Sequence, residues 1–221
     1  MSDSSIRTEH DFWNKKWESD QIGFHEAETH PMLLRHWDGF RLAAGSRVFV
    51  PLCGKSNDMR WLRARGHDVV GIELSAIAVA AFFEENGIEA DRSEQGPFIA
   101  YRTPGYELLC GDYFDLTGQV LGGVDAVYDR AALIALSPEQ RGQYVAHLTA
   151  LLDPGTPILL VTVRFEPEII SPPPFRVEDD EVKTLYAPSC SITRLGTAPA
   201  LLKGNPCEEA AYSITLKVDR E

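Results

Sequence analysis

The chain has 221 residues, enough for one large α/β domain and too few for two ordinary ones. Apolar residues make up 44% and charged residues 24%, which excludes wholesale disorder. With 21 basic against 33 acidic residues the net charge is −12, the wrong sign for a binder of nucleic-acid phosphates. The longest largely apolar run, Leu74 to Phe83, is far shorter than the ~20 residues that span a bilayer. The N-terminus carries no apolar signal core. Cys53, Cys110, Cys190 and Cys207 show no C-x-x-C spacing, and none of the six histidines pairs with a cysteine at ligand spacing. A reduced, cytoplasmic setting without a metal is expected.

Residues 1–9 read as frayed. His10 to Ser19 reads as an amphipathic helix with Phe12, Trp13 and Trp17 on one side. A second helix is predicted over Pro31 to Phe40, with Leu33, Leu34 and Trp37 inward. Arg47–Val50 is a short buried strand ending in Pro51-Leu52-Cys53-Gly54. A helix follows from about Asn57 to Arg65, stopped by Gly66. His67 to Glu73 is a second strand closing in an acid, and Ser75 caps an apolar helix over Ala76 to Asn86, ended by Gly87. This β-α-β-α order predicts a parallel sheet covered on both faces.

Phe98–Tyr101 and Glu107–Cys110 read as short strands joined through Pro104-Gly105. Val124–Tyr128 is another buried strand, finishing at Asp129-Arg130. Ser137-Pro138-Glu139-Gln140 has the form of a capping box opening a helix through Leu152. Ser171-Pro172-Pro173-Pro174 is a stiff loop, Pro157–Val163 the next strand, and Val182–Val218 holds two or three β-like runs. The last strands predict an antiparallel end to a mixed sheet.

Open parallel sheets bind ligands beyond the carboxyl ends of their strands, where the topology reverses. Gly54 lets backbone approach a ligand closely, and Glu73, about 20 residues on, is placed to accept hydrogen bonds from both ribose hydroxyls of a nucleoside. Three ligands compete. Gly54-Lys55-Ser56 mimics the end of a P-loop, but the first glycine of that motif is replaced by Phe49. A dinucleotide needs G-x-G-x-x-G, and Gly54 stands alone. S-adenosylmethionine (SAM) has a ribose and no phosphate, so it keeps the acid and relaxes the glycines. On spacing alone, Glu73 as a merely solvated strand end stays open.

The chain resembles the thiopurine S-methyltransferase family in its bacterial form. The matching segments are Phe12-Trp13-Asn14-Lys15-Lys16-Trp17, Ile22-Gly23-Phe24-His25, Val50-Pro51-Leu52-Cys53-Gly54-Lys55, Gly66 to Ser75, Gly111-Asp112-Tyr113-Phe114-Asp115-Leu116, Tyr128-Asp129-Arg130 and Pro173-Pro174-Phe175, in family order. The resemblance implies a Rossmann-like, seven-stranded mixed sheet of the class I SAM-dependent methyltransferases. It implies one such domain over residues 1–221, with a helical lid at 1–45 and the core at 46–221. It also implies SAM as cofactor and methyl transfer to the sulfur of small aromatic or heterocyclic thiols, thiopurines among them. By matching position Trp13, Trp17, Leu52, Gly54, Glu73, Asp112, Tyr113 and Arg130 lie at the cofactor and Phe24 at the substrate. Ala200–Asn205 fits the family pattern poorly, with Lys203 the nearest basic residue to an expected arginine, and Asp91–Gly105 also departs.

Methyl transfer from a sulfonium needs alignment and a dry pocket more than a catalytic triad. Arg130, with Asp129 beside it, is the catalytic candidate. Its guanidinium can favour an anionic acceptor, hold the methionine carboxylate of SAM, or form a structural ion pair with Asp129, Glu73 or another carboxylate. Trp13 and Trp17 can face the sulfonium charge, and Asp112 can accept from the adenine amino group. Alternative acceptors are selenium or tellurium species, halides and small thiols. A SAM-binding protein without catalysis is the alternative of another class. A monomer is expected.

Overall fold

Val48 and Val50 pack into one hydrophobic layer and Phe49 into the other, because successive strand side chains alternate across the sheet. Their strand, β1 (Arg47–Val50), is therefore covered on both faces. A computed structural model describes residues 3–22 and 25–218. The elements in chain order are α1 (Asp3–Glu18), α2 (Pro31–His36), β1, α3 (Asp58–Ala64), β2 (Asp68–Glu73), α4 (Ala76–Glu85), β3 (Asp91–Gln95), β4 (Phe98–Thr103), β5 (Tyr106–Cys110), α5 (Gly118–Leu121), β6 (Ala126–Arg130), α6 (Pro138–Ala150), β7 (Pro157–Arg164), α7 (Asp179–Tyr186), β8 (Cys190–Leu202) and β9 (Asn205–Leu216).

The strands form one sheet in the order β3-β4-β5-β2-β1-β6-β7-β9-β8. The five central strands are parallel, as the alternation of strands and helices predicts. The chain moves outward from β1 to β2 and β5, then returns to β6 on the other side of β1. The crevice beyond β1 and β6 is the reversal point where a ligand is expected. Helices α2, α3 and α4 cover one face through Met32, Leu33, Met59, Leu62, Val79 and Phe82. On the other face, α5, α6 and α7 contribute Leu121, Tyr144, Leu148, Val182 and Tyr186.

The sheet has nine strands where seven are expected. The addition is at the β5 edge, where β4 and β3 pair antiparallel in a meander, with turns at Gly96 (φ +60°) and Gly105 (φ +90°). β3 is charged and exposed, the composition that discourages pairing with a further strand. It has no apolar alternation by which to read it.

Three other expectations are corrected. α1 begins at Asp3, before the expected His10. In α2, Met32 is buried and Leu34 is half exposed, so the inward set is Met32, Leu33 and Trp37. The first β-like run of the tail is α7, whose Val182 and Tyr186 lie one helical turn apart and are both fully buried. The capping box at Ser137 is present with both hydrogen bonds.

Candidate active site

β2 ends at Glu73, whose side chain is only 7% exposed and folds back over the strand ends. One carboxylate oxygen accepts the Gly54 amide (2.9 Å) and the other the Ser75 amide (2.8 Å). The acid thus ties the turn after β1 to the start of α4. Burial raises its pKa above the ordinary glutamate value, and the amides of Ser75, Gly54 and Leu74 oppose that shift by favouring the charged form.

The turn it holds is tight. Leu52 (φ +46°) and Gly54 (φ +52°) both take the left-handed conformation, which is uncommon for leucine. Cys53 donates its amide to the Ile72 carbonyl at 2.9 Å, and its buried side chain fills the space that the absent Cβ of Gly71 leaves. Above Gly54 lies Trp17. A Cβ built on that glycine falls 3.3 Å from the indole, so the smallness of Gly54 lets α1 close onto the turn. Trp17 itself is 7% exposed.

Two more strand ends carry the other expected polar groups. After β5, Asp112 accepts the Phe114 amide at 2.9 Å, and its second oxygen meets His10 Nε2 at 3.1 Å. At the end of β6, Arg130 pairs with Glu26. Asn57 donates to the carbonyls of Glu26 and Ala27, both at 3.1 Å. His30 continues the attachment: its amide donates to Asp58 (2.8 Å), and its Nε2 lies 3.0 Å from Glu209. The N-terminal segment is therefore fastened over the ends of β5, β1 and β6 in turn.

Of the candidates, Trp17, Leu52, Gly54, Glu73, Asp112 and Arg130 all lie at this carboxyl edge. Trp13 is half-buried on the same helix, one turn before Trp17. Tyr113 is buried, and its hydroxyl donates to the Tyr144 carbonyl (3.3 Å), so that hydroxyl faces the core. Asp129 is wholly buried and accepts from the Tyr144 hydroxyl (2.8 Å) and the Leu133 amide (3.4 Å). Burial pushes its pKa up to about 6. Its carboxylate braces the turn after β6, and of the ion pairs open to Arg130 from sequence, the one formed is with Glu26. Lys203 donates to the carbonyls of Ser171 (3.1 Å) and Pro173 (2.9 Å), which seats the β8–β9 hairpin against the proline loop. Phe24 lies outside the described residues.

Sequence reasoning did not single out His10 or Glu26. His10 had a signal, since positions 10, 13 and 17 repeat at helical spacing on one face. Glu26 had none, because its partner is 104 residues away.

The profile of the family described as Thiopurine S-methyltransferase (TPMT) matches residues 8–215. This chain belongs to the thiopurine S-methyltransferase family. A relative named Thiopurine S-methyltransferase from Pseudomonas fluorescens (strain Pf0-1) is 50% identical over 175 residues, 79% of this chain and 80% of its own. One of the same name from Methylococcus capsulatus (strain ATCC 33009 / NCIMB 11132 / Bath) is 46% identical over 197 residues, covering 89% and 88%. Among solved structures, the Burkholderia thailandensis 1,6-didemethyltoxoflavin-N1-methyltransferase, with bound 1,6-didemethyltoxoflavin and S-adenosylhomocysteine, superposes with a TM-score of 0.68. It is 14% identical, over 99% of this chain and 92% of that one. Magnesium protoporphyrin IX methyltransferase from Synechocystis PCC 6803, with bound S-adenosylhomocysteine, gives 0.64 at 13% identity, over 96% and 100%. The fold is that of the class I methyltransferases, and this member of the thiopurine S-methyltransferase family is a SAM-dependent methyltransferase.

Proposed function

We propose that the chain methylates the sulfur of small aromatic or heterocyclic thiols, thiopurines among them, with SAM bound across the ends of β5, β2, β1 and β6. The observation that supports this reading best is the Glu73 carboxylate, held by the Gly54 and Ser75 amides at the sheet's reversal point. A carboxylate offers about four lone-pair directions, so two remain for the ribose hydroxyls of SAM. Asp112 is at hand for the adenine amino group, and Trp13 and Trp17 for the sulfonium end, where an aromatic face stabilises a cation by roughly 0.5–2 kcal/mol.

The reaction is an in-line displacement. The thiolate sulfur forms a bond to the methyl carbon as the carbon–sulfonium bond breaks, and its electron pair neutralises the sulfonium. The protein supplies alignment and exclusion of water. Arg130 stands at the acceptor side of the turn after β6, where a guanidinium favours the anionic form of a thiol. Asp129 positions that turn from beneath. In the same reading α1 and the segment up to residue 45 form the lid, and residues 46–221 the core of one domain.

The acceptor is a small molecule, and the charge of −12 opposes nucleic acid. Among the described residues no helix is long and apolar enough to cross a membrane. We place the chain in the cytoplasm as a monomer. The test is turnover with SAM and a panel of thiols beside selenite and tellurite. A methylthio product from aromatic thiols is expected. SAM binding without turnover on any thiol contradicts the reading.

A further inference from the structure

We propose that His25 is the base that takes the proton from the acceptor thiol. This rests on the thiol-acceptor reading above and adds a residue to it. His25 is half-buried next to Glu26, whose carboxylate pairs with Arg130 at the end of β6, and within the electrostatic reach of Lys55 and Glu85, which pair at 2.6 Å between the β1 turn and α4. Its amide closes a turn onto the Ile22 carbonyl at 2.7 Å, and Asn57 pins the two carbonyls that follow. The backbone that carries the imidazole is therefore fixed over the strand ends beside Arg130.

The other titratable groups of this edge are already engaged. Glu26 is held by Arg130, Asp112 by His10, Glu73 by two amides, and Asp129 by Tyr144 and Leu133 in the core. Among the described residues, neither ring nitrogen of His25 has a hydrogen-bond partner, so a lone pair is open to a thiol.

The charges that face His25 are Lys55 and Arg130, and against them Glu85 and Glu26. Burial, then Lys55 and Arg130, hold its pKa below the ordinary histidine value despite the two carboxylates. The imidazole is thus neutral at pH 7, the form a base requires. In the step, the S–H bond breaks toward an imidazole nitrogen and the thiolate takes the methyl group. The imidazolium that forms beside two cations releases its proton to solvent from the exposed part of the ring.

The test compares two acceptors of unequal acidity, an alkyl thiol and a nitro-substituted aromatic thiol that is ionised at pH 7. His25→Gln is expected to lower kcat on the alkyl thiol by about 100-fold, the scale of general-base catalysis, and on the ionised thiol by under about tenfold. Free imidazole should restore part of the alkyl-thiol activity of His25→Ala. In the unaltered protein, kcat on the alkyl thiol should rise with pH through an ionisation below about 6.5 and level off before the thiol's own pKa. Equal losses on both acceptors, no loss on either, or a wild-type profile that follows only the thiol's pKa overturns the role of His25. A wild-type protein that methylates neither thiol while binding SAM overturns the acceptor reading, and this proposal with it.

Discussion

Two of the lone-pair directions of the Glu73 carboxylate are filled by backbone amides, and the proposed ribose contacts use what is left. Its loss removes a charged acceptor from the ligand and a strut from the turn. Glu73→Ala should weaken SAM binding by roughly 1.5–3 kcal/mol, about 10- to 150-fold, measurable by calorimetry. Asp129 has the opposite logic. Its folded pKa of about 6 lies above the ~3.9 of an unfolded aspartate, so the native state binds the extra proton between those values. The stability from this group is complete below about pH 4 and is lost as pH rises through 6, an effect of roughly 3 kcal/mol. Urea unfolding from pH 4 to 8 should show that decline in the wild type and not in Asp129→Asn. Gly54→Ala places a methyl group 3.3 Å from Trp17 at a positive φ, and should cost about 1–2 kcal/mol and shift the indole fluorescence. Glu73 and Gly54 were legible because their spacing follows from the βαβ unit itself. Glu26 and His25 were not, because nothing local in residues 25–26 announces Arg130 or Lys55.

Elements with a strong local pattern were readable from the sequence, and those defined by their neighbours were not. β1, α4 and the start of α6 carry buried runs and caps in their own residues. α7 is only eight residues long, and two buried side chains, Val182 and Tyr186, are too few to set its period against a strand's. Three acids in its first turn favour a helix N-terminus and were the missed signal. β3 is polar throughout and exists because β4 offers it an edge. In α6, Ser137→Ala removes one half of the capping box and should lower stability by about 1 kcal/mol, with SAM affinity unchanged. α1 is fastened at His10 and Trp17 to two of the strand ends proposed to hold the cofactor. SAM should therefore slow amide exchange across residues 10–22, and exchange indifferent to SAM removes the lid from the account.

At the scale of the molecule, the parallel centre of the sheet puts five strand ends in one row, and the N-terminal segment is fastened at those of β5, β1 and β6. The β8–β9 hairpin extends past the end of β7. Its pairing continues to Leu202 and Asn205, beyond the last β7 pair of Arg164 with Glu208, and Lys203 fastens its tip to the proline loop. The parallel centre and the antiparallel end were legible because alternating strands and helices dictate the one and the closing hairpin the other. Of the two added strands, β4 was legible as the run Phe98–Tyr101, and β3 was not, since a polar edge strand is compatible with the core and not required by it. The most direct measurement is a crystal structure of the complex with S-adenosylhomocysteine. The ribose hydroxyls should lie within hydrogen-bonding distance of Glu73, with the nucleoside over residues 51–54 and beneath α1. A nucleoside bound away from Glu73 contradicts the account.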